Sequence, residues 1–154
     1  MNRRMFIQRG SVSLLTAGAA FSIAPSRLLG ADAPSRKIAM GMIGVGGMGS
    51  GNMGGFLGIK DVVIRAVCDP NKKKTESAKG AVDRHYGNQD CATYKDFREL
   101  IARGDLDAVM VATPDHWHAT VAVACARAGL DIYGEKPFSH DLREGRAMVN
   151  AMKQ

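Results

Sequence analysis

The chain has 154 residues, of which 45% are hydrophobic and 23% are charged, as is typical of a soluble globular protein about one domain in size. The net charge of +6 does not indicate a nucleic-acid-binding protein, since half of it comes from residues 1–33. The one basic run elsewhere, Lys72–Lys74, has no interleaved aromatic residues, and we interpret it as the solvated start of a helix. Cys68, Cys91 and Cys125 are odd in number and far apart, which excludes a disulfide framework and favours small core residues at 68 and 125.

The N-terminal segment resembles a twin-arginine export signal, because Arg3-Arg4 is followed by the apolar pair Phe6-Ile7. The next run, Val12–Ala24, is shorter and more polar than a typical membrane-spanning helix. We therefore predict a signal peptide over residues 1–33, export of the folded protein to the periplasm or another extracytoplasmic compartment, and no stable membrane insertion after export. An ordinary secretory signal and an uncleaved anchor are the alternatives, and cleavage after Ala31 or Ala33 stays open.

Residues 34–154 are predicted to form one domain that begins with a strand at about Lys37–Ile43. This strand leads into a glycine-rich turn, and a second strand, Val62–Cys68, ends at Asp69, twenty positions after the last glycine of the turn. This arrangement is a dinucleotide-binding fingerprint in its strand–turn–helix–strand context. The predicted cofactor-binding residues of the turn are Gly44, Gly46, Gly47, Met48 and Gly49.

Each part of the fingerprint has a physical reason. Gly44 allows the tight turn, Gly46 lets the backbone approach a pyrophosphate, and Gly49 lets the helix pack close to the strand. The N-terminus of that helix offers unpaired N–H groups to phosphate. Asp69 can accept hydrogen bonds from a ribose and would repel a 2′-phosphate, which favours NAD over NADP, although Lys72 and Lys73 lie nearby in the sequence. Because so many glycines follow Gly49, we expect the helix to be short or irregular.

The rest of the chain alternates helices and strands, as in a doubly wound parallel sheet. We therefore predict an α/β fold of the Rossmann type, with helices on both faces of the sheet. Gly87-Asn88 and Gly129 are expected to stop helices, Asp96 and Glu99 to form a capping box, and Ser139 or Asp141 to cap the last helix. The remaining predicted elements are helix 72–86, strand 92–94, a helix from Asp96 to Gly104, strand 107–113, helix 118–128, strand 130–133 and a helix from about 142 to the chain end.

Two polar clusters follow predicted strands, Thr113-Pro114-Asp115-His116-Trp117-His118 and Gly134-Glu135-Lys136-Pro137. Together with the glycine turn and Asp69, in this order, they resemble the glucose–fructose oxidoreductase/inositol dehydrogenase (Gfo/Idh/MocA) superfamily. The resemblance covers residues 37–154 and is made specific by the Thr-Pro…His and Glu-Lys-Pro motifs. It implies a nicotinamide cofactor, a sugar or polyol substrate and, for the full-length protein, a homo-oligomer.

The resemblance also implies roles for individual residues. Lys136 would be the catalytic residue, lying beside the nicotinamide and contacting the reacting hydroxyl of the substrate, where an ammonium favours loss of the proton. Glu135 would contact the nicotinamide-side ribose or hold Lys136. Thr113, Pro114 and His118 would line the cofactor cleft. The alternative for Lys136 is an ordinary surface lysine.

Asp115 stands where many relatives have asparagine, so its contact is open. A metal site at His116 and His118 is the competing interpretation of that segment. Two histidines at i and i+2 share a face only in extended backbone, and no third ligand is evident, so no metal is predicted. Trp117 is interpreted as a packing residue or cleft wall in preference to a sugar-stacking platform.

The function predicted from these residues is hydride transfer between a secondary alcohol of a sugar or polyol and a nicotinamide. One alternative is an NAD-dependent glycosidase that oxidises its sugar transiently and recycles a bound cofactor. The other is a nucleotide-binding module without catalysis, against which the intact Glu-Lys-Pro motif argues. In this family a second, C-terminal domain supplies most of the substrate pocket. We expect that domain to be missing from this chain, either because the chain is the first part of a longer protein or because the gene is truncated, and we expect the chain alone to bind cofactor with little or no turnover.

Overall fold

The computed structural model describes residues 37–153, and the predicted signal peptide lies outside them. Five parallel strands form one sheet in the order β3-β2-β1-β4-β5. The strands are β1 Ile38–Ile43, β2 Val62–Cys68, β3 Ala92–Tyr94, β4 Ala108–Val111 and β5 Asp131–Gly134. The helices are α1 Gly47–Leu57, α2 Lys72–Tyr86, α3 Phe97–Ile101, α4 Asp115–Arg127 and α5 Leu142–Ala151. The predicted Rossmann-type fold is confirmed.

The strand order creates a crevice at one end of the sheet. The chain runs outward from β1 to β2 and β3, and then returns to the other side of β1 for β4 and β5. The connections after β1 and β4 therefore lead to opposite faces and separate at the carboxyl ends of two adjacent strands. Open α/β sheets bind ligands at such a switch point.

Alternation along the strands divides the core into two layers, one on each face of the sheet. Met40 and Met42 pack with Met53 of α1 and Val82 of α2 on one face. Ile43 packs with side chains of α3 and α4 on the other face. The three cysteines are buried and unpaired, as expected for Cys68 and Cys125. No helix within residues 37–153 is long and apolar enough to cross a membrane.

Several element boundaries agree with the predictions, and others differ for identifiable reasons. The bounds of β2, α2 and β3 are as predicted, and Gly87 ends α2 in the left-handed conformation. The expectation that α1 is short or irregular was wrong, since it is an 11-residue α-helix anchored by the buried Met53. Packing on the sheet overrides the low helix propensity of its glycines.

Three further corrections concern helix ends. Helix α4 begins at Asp115 rather than His118, because the Trp117 N–H donates to the Pro114 carbonyl and closes the first turn directly after the strand. Helix α3 ends at Ile101, before the predicted stop at Gly104. The cap of α5 is Asp141, whose carboxylate accepts from the Glu144 N–H, and not Ser139.

The glycines of α1 differ sharply in the space around them, which gives a stability prediction. A Cβ at Gly49 would overlap the carbonyl oxygen of Gly44, whereas a Cβ at Gly54 would meet nothing within 4 Å. Gly49→Ala is expected to lower the free energy of unfolding by about 1–3 kcal/mol through overpacking. Gly54→Ala is expected to raise it by about 0.5–1 kcal/mol, as the helix loses a flexible residue. Urea denaturation of the two variants measures both changes, and equal effects would contradict the close approach of α1 to β1.

Candidate functional site

A cleft of about 720 Å³ opens at the carboxyl ends of the strands, at the switch point of the sheet. It is bordered by the glycine turn after β1, the end of β2, the start of α3 and the connections after β4 and β5. The structure brings nine of the eleven predicted site residues into its wall: Gly44, Gly46, Gly47, Met48, Asp69, Thr113, Pro114, Glu135 and Lys136. The two others, Gly49 and His118, lie behind this wall.

The glycine turn has the geometry that the fingerprint requires. Gly44 has a φ of +84°, and a Cβ there would lie 2.6 Å from the carbonyl oxygen of Ala112. Gly46 precedes α1 as its N-cap, and neither a side-chain cap nor an acidic residue in the first turn competes for the N–H groups of this helix. These N–H groups and the positive end of the helix dipole are therefore available to an anion in the cleft.

Asp69 is held in place by main-chain hydrogen bonds. One carboxylate oxygen accepts from the Val45 N–H at 3.2 Å and the other from the Asn71 N–H at 2.9 Å. The side chain therefore joins the glycine turn to the end of β2. A carboxylate has about four lone-pair sites, so Asp69 can still accept hydrogen bonds from a diol in the cleft.

Thr113 supplies a polar group that lacks a partner. Among the buried side-chain oxygen and nitrogen atoms of residues 37–153, Thr113 Oγ1 alone makes no hydrogen bond. Thr113 also lines the cleft. Buried hydroxyls are normally satisfied, because leaving one unpaired costs about 1–3 kcal/mol. An occupant of the cleft with a donor or acceptor at this point would remove that cost. The open N-terminus of α1 and this hydroxyl together fit a dinucleotide.

The connection after β5 carries a carboxylate and an ammonium side by side. Asn52 of α1 donates from Nδ2 to Glu135 Oε1 at 2.7 Å, and the Lys136 N–H donates to Oε2 at 3.1 Å. These two hydrogen bonds lower the pKa of Glu135, with the Asn52 bond contributing most. Glu135 is thus a charged group at neutral pH, next to Lys136, whose side chain is exposed at the cleft.

Residues 38–154 match the family described as "Oxidoreductase family, NAD-binding Rossmann fold", Gfo/Idh/MocA. The chain belongs to this family. Curated relatives include a "Glycosyl hydrolase family 109 protein" of Solibacter usitatus, 29% identical over 97% of this chain and 36% of the relative. Another protein of the same name, from Saccharopolyspora erythraea, is 33% identical over 76% of this chain and 26% of its own length. The chain spans about a third of the length of the first of these relatives and a quarter of the second.

Solved structures of two dehydrogenases superpose on this chain. The WlbA dehydrogenase of Bordetella pertussis, in complex with NADH and UDP-GlcNAcA, has a TM-score of 0.64 and 27% identity over 77% of this chain and 34% of its own. The scyllo-inositol dehydrogenase of Lactobacillus casei, with bound NAD(H) and scyllo-inositol, has a TM-score of 0.69 over 77% of this chain and 33% of its own. At 20% identity, the second similarity shows the fold alone.

The two histidines of the segment after β4, His116 and His118, differ in their exposure to solvent. His118 is 3% exposed, and its ring lies beneath the cleft rather than in its wall. His116 is exposed on the first turn of α4, where its N–H donates to the Asp115 carboxylate at 2.8 Å. No group of His, Cys, Asp and Glu within residues 37–153 could hold a metal ion.

Sequence reasoning missed several residues of the cleft wall. Lys74, interpreted as part of a solvated run, places its Nζ 3.4 Å from the position that a Cβ of Gly46 would occupy. Phe97 lines the cleft and packs edge-to-face on Trp117 with ring centroids 6.3 Å apart. The cleft wall was one of the two roles expected for Trp117, which is 43% exposed.

Neither Lys74 nor Asn52 carried a strong signal in the sequence. Lys74 is one of three adjacent lysines, and only the helix phase decides which of them points to the turn. Asn52 is a polar residue within a helix of glycines and apolar residues, which is a weak indication of a partner outside the helix. Cys68 also lines the cleft, but burial raises the pKa of its thiol to about 12, so it is not a nucleophile at neutral pH.

The Asn52–Glu135 hydrogen bond gives a prediction about pH. Asn52→Ala removes the largest cause of the lowered pKa of Glu135, so this pKa is expected to rise towards its ordinary value. A carboxyl group whose pKa is lowered by folding contributes stability above its unfolded-state pKa and loses it as pH falls through the folded-state pKa. The variant should therefore lose less stability on acidification than the parent chain does. A carbon-13 NMR titration of the Glu135 carboxyl measures the shift, and Asn88→Ala, on the surface, is the control that should leave it unchanged.

Proposed function

We propose that this chain is the nucleotide-binding part of an NAD-dependent oxidoreductase that acts on a secondary alcohol of a sugar or polyol. The observation that carries the proposal is one cleft that joins the glycine turn, Asp69 and the Glu135-Lys136 pair at the switch point of the sheet. The named ligands of the WlbA dehydrogenase, NADH and a nucleotide sugar, support this substrate class.

The residues of the cleft divide into three parts along a dinucleotide. The N–H groups at the start of α1, with the ammonium of Lys74 close to Gly46, would bind the pyrophosphate. Asp69 would accept hydrogen bonds from the ribose on the adenine side, and the aromatic wall of Phe97 and Trp117 lies in the same cleft. Glu135 and Lys136 would face the nicotinamide end. Bound NAD would supply hydride transfer at nicotinamide C4.

The choice of NAD over NADP rests on the charge of Asp69. Its carboxylate is fixed at the end of β2 by two main-chain donors, so it cannot easily turn away from a 2′-phosphate. The negative charges of the Asp69 carboxylate and a 2′-phosphate would repel each other and disfavour binding of NADP. Lys74, Lys95 and Arg98 are cations of the same cleft wall, and the position of Lys74 beside Gly46 favours the pyrophosphate over the 2′-phosphate as its partner.

The Asp69→Ala variant tests the cofactor and its type. We expect the variant to bind NAD⁺ roughly 10- to 100-fold more weakly, as for the loss of hydrogen bonds to a charged group, and NADP⁺ to lose much less. Trp117 is the only tryptophan of the chain and lines the cleft, so quenching of its fluorescence reports binding, with calorimetry as the second method. The change in the NAD⁺/NADP⁺ ratio distinguishes a cofactor contact from general destabilisation. Asp131→Ala, at the opposite end of the sheet, is the matched control, and an unchanged ratio in Asp69→Ala would contradict the proposal.

Lys136 is proposed to orient the substrate hydroxyl and to favour loss of its proton in the oxidation direction. Its ammonium would also disfavour the cationic nicotinamide of NAD⁺ relative to neutral NADH. Lys136→Met is therefore expected to lower the ratio of NADH affinity to NAD⁺ affinity while both cofactors still bind. Fluorescence titration with each cofactor measures this ratio. A surface lysine without a role would leave the ratio unchanged, as Lys153→Met, at the far end of the chain, should.

An NAD-dependent glycosidase is the second candidate, and the names of the two glycosyl hydrolase relatives favour it. In such an enzyme the hydride returns to the sugar after the aglycone leaves, so the cofactor is recycled. The two candidates differ in net redox change. Net NADH formation from a free sugar supports the dehydrogenase, and release of a phenol from an aryl glycoside without net NADH supports the glycosidase.

We also propose that residues 1–33 direct export of the folded domain by the twin-arginine route. A route for folded proteins would allow the cofactor to be bound before export, in keeping with a tightly held nucleotide. Retention of the chain in the cytoplasm after Arg3-Arg4→Lys-Lys would support the proposal, and unchanged export would contradict it.

A further inference from the structure

The buried His118 connects the two motifs that border the cleft. Its Nε2 lies 2.7 Å from the carbonyl oxygen of Thr113, directly after β4. Its Nδ1 lies 2.5 Å from the carbonyl oxygen of Pro137, in the connection after β5. The ring is 3% exposed, so water does not compete for either contact. It therefore spans the gap between two backbone segments that are separated by more than twenty residues along the chain.

Both partners of the ring are carbonyl oxygens, and this determines which atom donates in a hydrogen bond. Carbonyl oxygens only accept hydrogen bonds, so each contact requires an N–H on the facing nitrogen. The start of α4 fixes the position of the ring, since His118 is a buried residue of the first turn of this helix. The connection after β5 is therefore attached to a rigid element through Pro137.

We propose that His118 is a positioning residue for Lys136. By holding the Pro137 carbonyl, it fixes the segment Glu135–Pro137 against the end of β4, while Asn52 holds the Glu135 side chain from the other side. The inference rests on the proposed function, since Lys136 must face the nicotinamide for its position to matter. His118 itself is buried and is not one of the residues that line the cleft.

Two conservative variants separate the two contacts. The amide nitrogen of asparagine stands as many bonds from Cβ as Nδ1 of histidine, and the amide nitrogen of glutamine as many as Nε2. His118→Asn can thus keep the bond to Pro137 and lose the bond to Thr113. His118→Gln can keep the bond to Thr113 and lose the bond to Pro137. Both variants remove the ring from the same buried position, so a purely structural role predicts similar effects for both.

The expected result is a difference between the variants that is confined to one end of the cofactor. His118→Gln should weaken NAD⁺ binding by about fivefold or more relative to His118→Asn, the fold-change of one net hydrogen bond, because Glu135, on the same segment as Lys136, would no longer be held at the nicotinamide-side ribose. ADP-ribose, which lacks the nicotinamide, should bind equally to both variants. The backbone amide NMR signals of Glu135 and Lys136 should shift in His118→Gln and stay close to their original positions in His118→Asn. His116→Gln, on the exposed neighbour, is the control for a histidine change in the same helix turn.

Equal effects of the two variants on NAD⁺ and on the amide signals would overturn the proposal, and so would equal weakening of NAD⁺ and ADP-ribose by His118→Gln. If the unmodified chain binds neither NAD⁺ nor ADP-ribose, the proposed function fails. In that case the amide signals, which need no ligand, still decide whether His118 fixes the connection after β5.

Discussion

The close approach of α1 to the end of β1 is the constraint on which the site depends. Gly44 leaves no room for a side chain, because the connection after β4 passes within contact distance of it. Gly49 leaves no room either, because α1 meets the glycine turn there. Because both positions are bare, α1 begins directly at the sheet edge, and its first N–H groups face the cleft. Other groups of the site are attached to this part of the chain. Asp69 binds the glycine turn, and Asn52 of α1 donates a hydrogen bond to Glu135.

Polar contacts position the loops around the cleft. On one side, Asp69 joins β2 to the glycine turn through Val45. On the other side, Asn52 joins α1 to the connection after β5, and that connection is joined to β4 through His118. The hydrophobic layers above and below the sheet hold the strands, but these contacts position the loops. The same backbone could host other chemistry, and these few side chains determine which groups point into the cleft.

Local patterns were sufficient to predict the fold and the glycine turn. Strand β2 and helix α2 were predicted at their observed ends, since a run of β-branched residues and a left-handed Gly87 leave little choice. The start of α4 was missed because Pro114 suggested a longer loop, whereas its carbonyl accepts the first hydrogen bond of the helix. The burial of His118 and the reach of Asn52 depend on tertiary packing, which no single-sequence periodicity contains. Lys74 was hidden among identical neighbours for the same reason.

The solvent-facing glycines of α1 have a consequence for the dynamics of the site. Gly51, Gly54 and Gly55 have open space around their Cα atoms, so alanine would fit where glycine stands. A helix with this composition opens locally at a low free energy, and its amide hydrogens are expected to exchange with solvent faster than those of the capped helix α2. Since the N–H groups of α1 are also the proposed anion-binding groups, we expect order in this helix and occupancy of the cleft to be thermodynamically linked. Ligand binding would then reduce the local opening of α1.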